Sequence, residues 1–389
     1  MKPKVRYITG KKRTMVTERM TYRWLWCCLI VGGLLLAGCT DNYEEVQQPS
    51  PVLQPEEGSL LELHAITRTS GAYPIPNAKN PATSVVLFLA SLTPTNVNSN
   101  QYTVTDGTFL YKNNQWSLSP SSSAISVKEE TQYYMYGYMP SSISATKSAP
   151  EGDYSKGIDL TLSNLPAITT DDICVLVGVQ RVGSTNWESP VDTVGHYGFR
   201  SGIKGENFVN LLMDHLYARL SLSFKIDPDY AKLRSIHLKE VKLTSKYADG
   251  ASVTVNLRNG VEGIGSPTFP SGSETEEHVV TLLKTTDTEK VLDKSFVSTP
   301  LALDIPAYCR PIAVETNKIY NLSLTTTYDV YDMAGVNLGE RKSVNKVQFN
   351  MAAVSPGLKI PLVLTVKPTY LYILSDNDLN NPIITVNGE

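Results

Sequence analysis

From about residue 59 onward, short apolar runs alternate with polar turn segments along the chain. Pairs such as Asp249-Gly250 mark the turns. Helical spacing is rare, and only residues 229–233 could form a single helical turn. The pattern therefore predicts an all-β protein built from sandwiches. The runs that carry this prediction are rich in β-branched, aromatic and other apolar residues and lie at 85–89, 102–105, 173–177, 220–224 and 253–257.

The stretch from residue 59 to residue 389 is longer than a single sandwich core usually spans, so we expect two domains in tandem. A Gly-containing loop at 198–205 comes before a new series of strands that begins at Leu216. We therefore place an N-terminal β-sandwich at 59–212 and a C-terminal β-sandwich at 213–389. Residues 39–58 are polar and rich in proline, which is typical of a flexible linker.

The first 38 residues have the pattern of a secretory signal peptide. A basic stretch is followed by an apolar run from Leu25 to Ala37, which is shorter than the ~20 residues that a transmembrane helix needs. The run ends in Leu-Ala-Gly-Cys39, which resembles the lipobox of bacterial lipoproteins. The resemblance implies that residues 1–38 are removed and that a lipid on Cys39 anchors the protein to the outer membrane. A plain signal anchor with a chance cysteine is the alternative.

Loss of the signal peptide changes the charge of the protein. Residues 1–38 hold eight of the 35 Lys and Arg residues and one of the 38 Asp and Glu residues. The remainder has 27 basic and 37 acidic residues, a net charge near −10. An acidic protein of this kind is not expected to bind nucleic acid or an anionic membrane surface.

The part beyond the signal peptide contains only two other cysteines, Cys174 and Cys309. Two cysteines in a chain of this length do not form a disulfide scaffold. Because both lie in apolar contexts, we expect buried thiols. The sequence leaves a disulfide between them open.

Aromatic residues are most dense between Trp116 and Met139. Tyr134, Tyr136 and Tyr138 alternate, so they lie on one face of a strand. We expect that face to pack on the core. A platform on which sugar rings stack, also involving Trp187, is the alternative.

A second feature begins at His215. From Leu216 to Ile226 apolar residues alternate, which predicts a strand with one buried face. His215 follows Asp214, and we expect a hydrogen-bonded histidine at the end of a strand rather than a catalytic or metal-binding pair. The oxygen-rich stretch at 376–380 is interpreted as a turn rather than a calcium site. No hydrolase, metalloprotease or nucleotide-binding motif is present, so we expect no enzymatic activity, cofactor or metal.

These aromatic and alternating segments together resemble the fimbrillins, the type V pilus subunits of Gram-negative anaerobes, and their anchor relatives. The resemblance rests on a Trp, a tyrosine-rich strand ending in Tyr-x-Pro, and a later strand with the pattern H-L-x-A-R-L-x-L-x-F. It implies two transthyretin-like sandwiches and export as a lipoprotein. It also implies that subunits assemble when an Arg-specific cut removes a first strand and a C-terminal strand of the next subunit fills the groove.

The sequence contains candidates for each part of that scheme. Residues 59–67 can form the removable first strand, with Leu61, Leu63 and Ala65 on one face, and Arg68 follows as the candidate cleavage site. An ordinary surface arginine is an equal alternative. After a strand at 369–374 and a turn at 375–381, the candidate donor strand contains Ile383, Ile384 and Val386. The same segment could instead close its own domain.

The resulting hypothesis is a structural or accessory fimbrial subunit at the cell surface that supports adhesion and binds other fimbrial subunits by strand exchange. A host glycan or protein is a further candidate partner. The alternative is a surface glycan-binding lipoprotein, and a secreted hydrolase ranks below both. The sequence does not distinguish a shaft, tip or anchor role.

Overall fold

The computed structural model describes the body of the chain with internal gaps. Among the described residues, no helix is long and apolar enough to cross a bilayer. The described ranges are 59–68, 84–92, 101–112, 115–181, 197–201, 208–246, 250–258, 277–285, 290–313, 322–347, 353–368 and 382–388.

Strands dominate the described part of the chain, and its helical content consists of short 3₁₀ turns at Pro150–Gly152, Tyr154–Lys156, Tyr230–Lys232 and Lys294–Phe296. The first thirteen strands are β1 (Ser59–Leu60), β2 (Glu62–Arg68), β3 (Ser84–Leu92), β4 (Tyr102–Lys112), β5 (Gln115–Leu118), β6 (Ser126–Val127), β7 (Gln132–Met139), β8 (Ser144–Ser148), β9 (Ile158–Leu165), β10 (Ile168–Thr169), β11 (Cys174–Arg181), β12 (Gly198–Arg200) and β13 (Phe208–His215).

The other thirteen strands follow the turn after His215. They are β14 (Ala218–Ile226), β15 (Arg234–Ser245), β16 (Ala251–Leu257), β17 (His278–Lys284), β18 (Lys290–Leu292), β19 (Leu301–Ala302), β20 (Ala307–Cys309), β21 (Ile312–Ala313), β22 (Leu322–Asp332), β23 (Asn337–Lys346), β24 (Ala353–Val354), β25 (Lys359–Lys367) and β26 (Ile383–Gly388).

The first pair of sheets contains most of the N-terminal strands. An eight-stranded sheet has the order β2-β13-β11-β7-β3-β4-β5, with β12 also paired to β7, and a three-stranded sheet has the order β16-β9-β8. Apolar residues of β7 and β11 pack against alternate residues of β9 and β16, including Leu160 and Val255. The two sheets therefore enclose a shared core, as in a sandwich.

The eight-stranded sheet buries its second face as well. Leu87, Met135, Leu176 and Leu211 form a separate core on that side, together with Leu61 from the start of the body. Because β7 lies in the middle of this sheet, every residue from Tyr133 to Met139 is buried. The prediction that Tyr134, Tyr136 and Tyr138 pack on the core is confirmed.

The second pair of sheets forms the other sandwich. A six-stranded sheet has the order β10-β20-β14-β25-β26, with β19 also on β14, and a five-stranded sheet has the order β17-β15-β22-β23, with β18 also on β15. Strand β14 alternates strictly between buried and half-buried positions, as predicted. Its buried residues, Leu220, Leu222 and Phe224 among them, face the core between the two sheets. Burial of each such side chain contributes roughly 1.5–3 kcal/mol.

Two strands belong to a different pair of sheets from their neighbours in the sequence. Strand β10 follows β9 in the chain but pairs with β20 of the six-stranded sheet, Ile168 opposite Cys309. Strand β16 follows β15 in the chain but pairs with β9 of the three-stranded sheet, Val255 opposite Leu160. In addition, β13 runs continuously through residue 212. The all-β class is therefore confirmed, whereas the two-domain division at residue 212 and the transthyretin-like assignment stay predictions.

Both cysteines of the body are buried, as expected, and they are not joined in a disulfide. Cys174 opens β11 and Cys309 closes β20. The alternative of a Cys174–Cys309 disulfide does not describe this structure.

Candidate functional site

The predicted first strand forms two pieces, β1 and β2, that are separated at Leu61. Strand β1 pairs with β6, and β2 lies at one end of the eight-stranded sheet. Strand β2 pairs in parallel with β13, from Glu62 opposite Phe208 to Arg68 opposite Met213. In the sheet order of the described strands β2 is terminal, with β13 as its one sheet neighbour there. A segment held by one neighbour is the simplest part of a sheet to exchange.

Leu61 anchors the start of this segment. Its backbone N–H donates to the carbonyl oxygen of Ile125 at 2.9 Å, and its side chain is only 4% exposed. On the other side of it, Leu60 pairs with Ser126 and is 57% exposed. The two adjacent leucines therefore differ in role, because Leu61 fills the core and Leu60 faces solvent.

A groove lies beneath Leu61. A cavity of about 200 Å³ is bordered by residues 60–62 on one side and by an apolar wall on the other. Phe109 and Ile125 in the wall are buried, whereas Trp116 is half-buried and its ring lies 5.1 Å from that of Tyr111. Removal of residues 59–68 would expose this wall and the backbone groups of β13. The wall consists of Phe109, Trp116, Ser117, Leu118 and Ile125.

A buried tyrosine, Tyr133, stabilises the turn that follows β6. The hydroxyl of Tyr133 accepts the backbone N–H of Lys128 at 2.7 Å, and its ring stacks on Phe199 with centroids 5.8 Å apart. Burial raises the pKa of Tyr133, which keeps its hydroxyl neutral at physiological pH. The turn after β6 is thus fixed independently of β2.

The structure defines the backbone pairing of the other candidate residues on the first strand, Leu63, Ala65 and Arg68. Leu63 lies opposite Val209 and Ala65 opposite Asn210, with a shift of register between them. One extra residue in β2 interrupts the regular alternation that was predicted for residues 59–67. Arg68 is the last residue of β2. The loop at 69–72 and the lipidation candidate Cys39 lie outside the described residues, and their proposed modifications stay predictions.

The candidate donor strand lies at the opposite end of the described chain. Strand β26 pairs antiparallel with β25 along its full length, with Ile384 opposite Val366 and Val386 opposite Leu364. Ile384 is 3% exposed and packs into the second core, whereas Ile383 is 37% exposed. The segment therefore closes its own sheet in the isolated chain. The predicted strand at 369–374 and turn at 375–381 lie outside the described residues.

The tyrosines of β7 do not form the glycan platform of the alternative hypothesis. The tyrosines of β7 are buried, and the rings of Tyr136 and Tyr197 lie 4.9 Å apart within the core. Burial raises the pKa of Tyr136 well above its ordinary value, with smaller contributions from neighbouring tyrosines. Trp187 lies outside the described residues.

His215 has partners that the sequence did not reveal. The carboxylate of Asp214 accepts the backbone N–H of His215 at 3.0 Å, as expected for a histidine at a strand end. The ring instead contacts Asp172 and Cys174, which are more than 40 positions away along the chain. Only the pairing of β11 with β13, Cys174 opposite His215, brings these residues together.

Comparison with known proteins gives matches among solved structures alone. No family model and no curated protein matches the chain. A fimbrial protein from Bacteroides vulgatus is 14% identical, with a TM-score of 0.41 over 85% of this chain and 98% of that one. A protein from Bacteroides uniformis, provisionally named a cell adhesion protein, is 13% identical, with a TM-score of 0.38 over 86% and 99%. The tip fimbrial protein Mfa3 from Porphyromonas gingivalis, truncated at its C-terminus, is 8% identical, with a TM-score of 0.25 over 79% and 93%.

Proposed function

We propose that this chain is a structural or accessory subunit of cell-surface fimbriae that supports adhesion. In this proposal a lipid on Cys39 takes the chain to the outer membrane, and strand exchange joins it to other fimbrial subunits. The role requires exposed backbone and apolar grooves rather than a reaction centre. The observation that carries the proposal is the position of β2, a terminal strand seated on β13 beside an apolar groove.

Removal of β2 would leave a site suited to another strand. The edge of β13 from Phe208 to Met213 would lose its backbone partners, and the wall around Phe109 and Ile125 would lose Leu61. Unpaired backbone groups and apolar surface in water are both unfavourable, so an incoming strand with apolar residues is strongly favoured. A β-prone segment supplies both hydrogen bonds and side chains for such a site.

The C-terminal segment fits the donor role. It carries Ile383, Ile384 and Val386, and it follows β25 after an intervening stretch of 15 residues, 368–382. Fully extended, that stretch could span about 50 Å, which is enough to reach a neighbouring subunit. Transfer must first break the pairing of β26 with β25, and that cost makes exchange dependent on an open groove in the partner.

Head-to-tail strand transfer of this kind builds a filament. The groove and the donor strand lie in different sheets of the same chain, so each copy can accept one strand and give one. A heterologous contact that does not close on itself continues to add copies. An anchor or tip subunit would use only one of the two elements.

The decisive experiment cuts the chain after residue 68. The purified chain is incubated with an Arg-specific protease, and the products are examined by N-terminal sequencing and by native mass spectrometry. We expect a new N-terminus at Thr69 followed by a ladder of oligomers. The matched control is Arg68→Lys, which keeps the positive charge and is not cut by this protease. An oligomer ladder in Arg68→Lys equal to that of the wild-type chain would overturn the cleavage-dependent assembly.

A second variant tests the donor strand separately. A chain ending at residue 381 lacks β26 but retains β2 and Arg68. We expect it to be cut normally after residue 68 and to remain monomeric. Oligomers in this truncated chain would show that another segment fills the groove.

A further inference from the structure

Asp172, Cys174 and His215 bring three different donor atoms to one point in the fold. The Nδ1 atom of His215 lies 2.7 Å from Oδ1 of Asp172 and 3.4 Å from Sγ of Cys174, and the remaining Sγ to Oδ1 distance is 3.3 Å. Cys174 and His215 are fully buried, and the Asp172 side chain is 12% exposed. We call these three residues the Asp–Cys–His cluster.

The geometry of this cluster differs from that of a catalytic triad. In a Cys-His-Asp triad the imidazole contacts the nucleophile through one ring nitrogen and the carboxylate through the other. Here a single atom, His215 Nδ1, faces both the carboxylate and the sulfur. The three donor atoms form a closed triangle instead of a relay, so the arrangement does not activate the thiol for attack.

Hydrogen bonds account for only part of this triangle. The thiol has one S–H, and a neutral imidazole carries its one N–H on either ring nitrogen, so at most two of the three short contacts are hydrogen bonds. A cation at the centre would contact all three atoms at once: it would displace the thiol proton, and the neutral imidazole would bind through Nδ1 with its proton on Nε2. Thiolate, imidazole and carboxylate together are the ligands that zinc prefers.

The distances allow such an ion with a small adjustment. Zinc bonds of about 2.0–2.3 Å in tetrahedral geometry place neighbouring ligand atoms roughly 3.3–3.6 Å apart. The two contacts of the Cys174 sulfur already have these lengths, and the contact between Asp172 and His215 must open by about 0.6 Å. Asp172 is the partly exposed member of the cluster, so an ion would enter from its side, and a water molecule would supply the fourth ligand.

The cluster lies where the chain crosses between the two sandwiches. Asp172 belongs to the connection from β10, in the six-stranded sheet, to β11, in the eight-stranded sheet. His215 ends β13 and is followed at once by the turn into β14, which crosses in the reverse direction. The backbone at Gly357 also approaches the ring, since a Cβ there would be 3.8 Å from Cδ2 of His215. An ion in the cluster would link both crossings.

We propose that Asp172, Cys174 and His215 form a binding site for a transition-metal dication of the zinc type, and that the bound ion holds the two chain crossings together. This site is independent of the groove beside β2 and of any cut at Arg68. A test of the metal site is therefore independent of a test of the fimbrial role.

Spectroscopy on the full chain tests the ligand set directly. The untagged protein is stripped with a chelator, dialysed and titrated with Co²⁺, which replaces Zn²⁺ and reports its ligands. We expect one equivalent to bind with sulfur-to-cobalt charge-transfer absorption, and Zn²⁺ to displace it. Zn²⁺ at a hundredfold excess over its Kd should raise the unfolding midpoint by about 5 °C. Co²⁺ binding without the sulfur band, or no stoichiometric binding, would overturn the proposal.

Two serine variants separate the site from general effects of thiol removal. Cys174→Ser keeps a hydrogen-bonding group of similar size, and we expect it to lose the sulfur band and at least a hundredfold in Zn²⁺ affinity. The matched control, Cys309→Ser, changes the other buried thiol and should bind as the wild-type chain does. Equal affinity in the two variants would refute the site. Should Cys174→Ser fail to fold, Asp172→Asn supplies the same comparison at a partly exposed position.

Discussion

Tyr328 donates its hydroxyl to the carbonyl oxygen of Pro382 at 3.1 Å, within the core, and so ties β22 to the residue before β26. Tyr328 lies in the five-stranded sheet, and Pro382 directly precedes β26 of the six-stranded sheet that shares its core. This contact and the pairing with β25 hold the candidate donor strand in its own domain. In the proposed strand exchange, this hydrogen bond would oppose release of β26.

Tyr328→Phe should loosen β26 without disturbing the rest of the sandwich. Loss of one buried hydrogen bond costs about 1–2 kcal/mol, since the carbonyl of Pro382 is left without this donor. We expect faster amide hydrogen exchange at residues 383–388 and faster oligomer growth after cleavage at Arg68. The comparison variant is Tyr331→Phe at the half-buried end of the same strand. Equal exchange rates in β26 for wild type and Tyr328→Phe would contradict the anchoring role.

Alkaline pH should destabilise the second sandwich. Burial raises the pKa of Tyr328 from 10.0 to about 12 and that of Cys309 from 9.0 to about 12. The folded chain holds both protons more tightly than the unfolded chain does, so their contribution is complete below pH 9 and is lost as pH rises towards 12. The slope should reach about 1.4 kcal/mol per pH unit for each group.

Urea unfolding at several pH values measures this effect. The free energy of unfolding should be level near pH 8 with respect to these groups and fall between pH 9 and 12. In Tyr328→Phe the contribution of Tyr328 to the slope between pH 10 and 12 should disappear, while the contribution of the buried Tyr230 in the same core remains. A wild-type free energy that stays constant over this range would show that the two groups are not protected as the structure indicates.

Leu61→Ala should detach the first strand. The side chain is buried in the core on the second face of the eight-stranded sheet, and truncation of a buried leucine costs about 2–5 kcal/mol. Because the lost contacts lie at the start of β2, we expect increased exchange and proteolysis at residues 59–68 before global unfolding. The neighbouring Leu60→Ala, at an exposed position, should change stability by less than about 0.5 kcal/mol. Similar effects of the two substitutions would argue against the role of Leu61 in holding the first strand in place.

Gly137→Ala should be more costly than Gly107→Ala. A Cβ at Gly137 would lie 2.5 Å from the backbone oxygen of Val86 in the neighbouring strand, which cannot move without breaking the sheet. At Gly107 the nearest atom is the flexible end of the Ile125 side chain, 2.6 Å away. We expect a loss of about 2–4 kcal/mol for Gly137→Ala and a smaller loss for Gly107→Ala. Thermal unfolding of the two variants makes the comparison, and the reverse ranking would contradict it.

Local pattern predicted the strands better than it predicted their partners. The alternation of apolar and polar residues from Ala218 to Ile226 correctly predicted β14 and its buried face, because successive side chains in a strand point to opposite faces of the sheet. The tyrosines of β7 were correctly assigned to the core. Burial on the other face, at Tyr133 and Met135, was not foreseen because it depends on a second layer that no local pattern encodes.

Long-range pairings account for most of what the sequence did not reveal. The pattern at 253–257 predicts a strand, which we included in the C-terminal domain, whereas the observed strand β16 pairs with β9 in the first pair of sheets. The contact of His215 with Asp172 has the same origin, since neither residue carries a spacing motif. Cys174 was expected to be a buried thiol, and only the register of β11 on β13 places it beside an imidazole.

The return of β16 to β9 determines when the N-terminal half can mature during synthesis. Strand β9, with the buried Ile158, Leu160 and Leu162, pairs with a strand that is synthesised some ninety residues later. Until then, one edge of β9 is unpaired. A chain emerging N-terminus first must keep this apolar strip from sticking to other nascent copies. If the chain is exported as proposed, such a delay favours a chain that stays unfolded, bound to a holding chaperone, until translocation is complete.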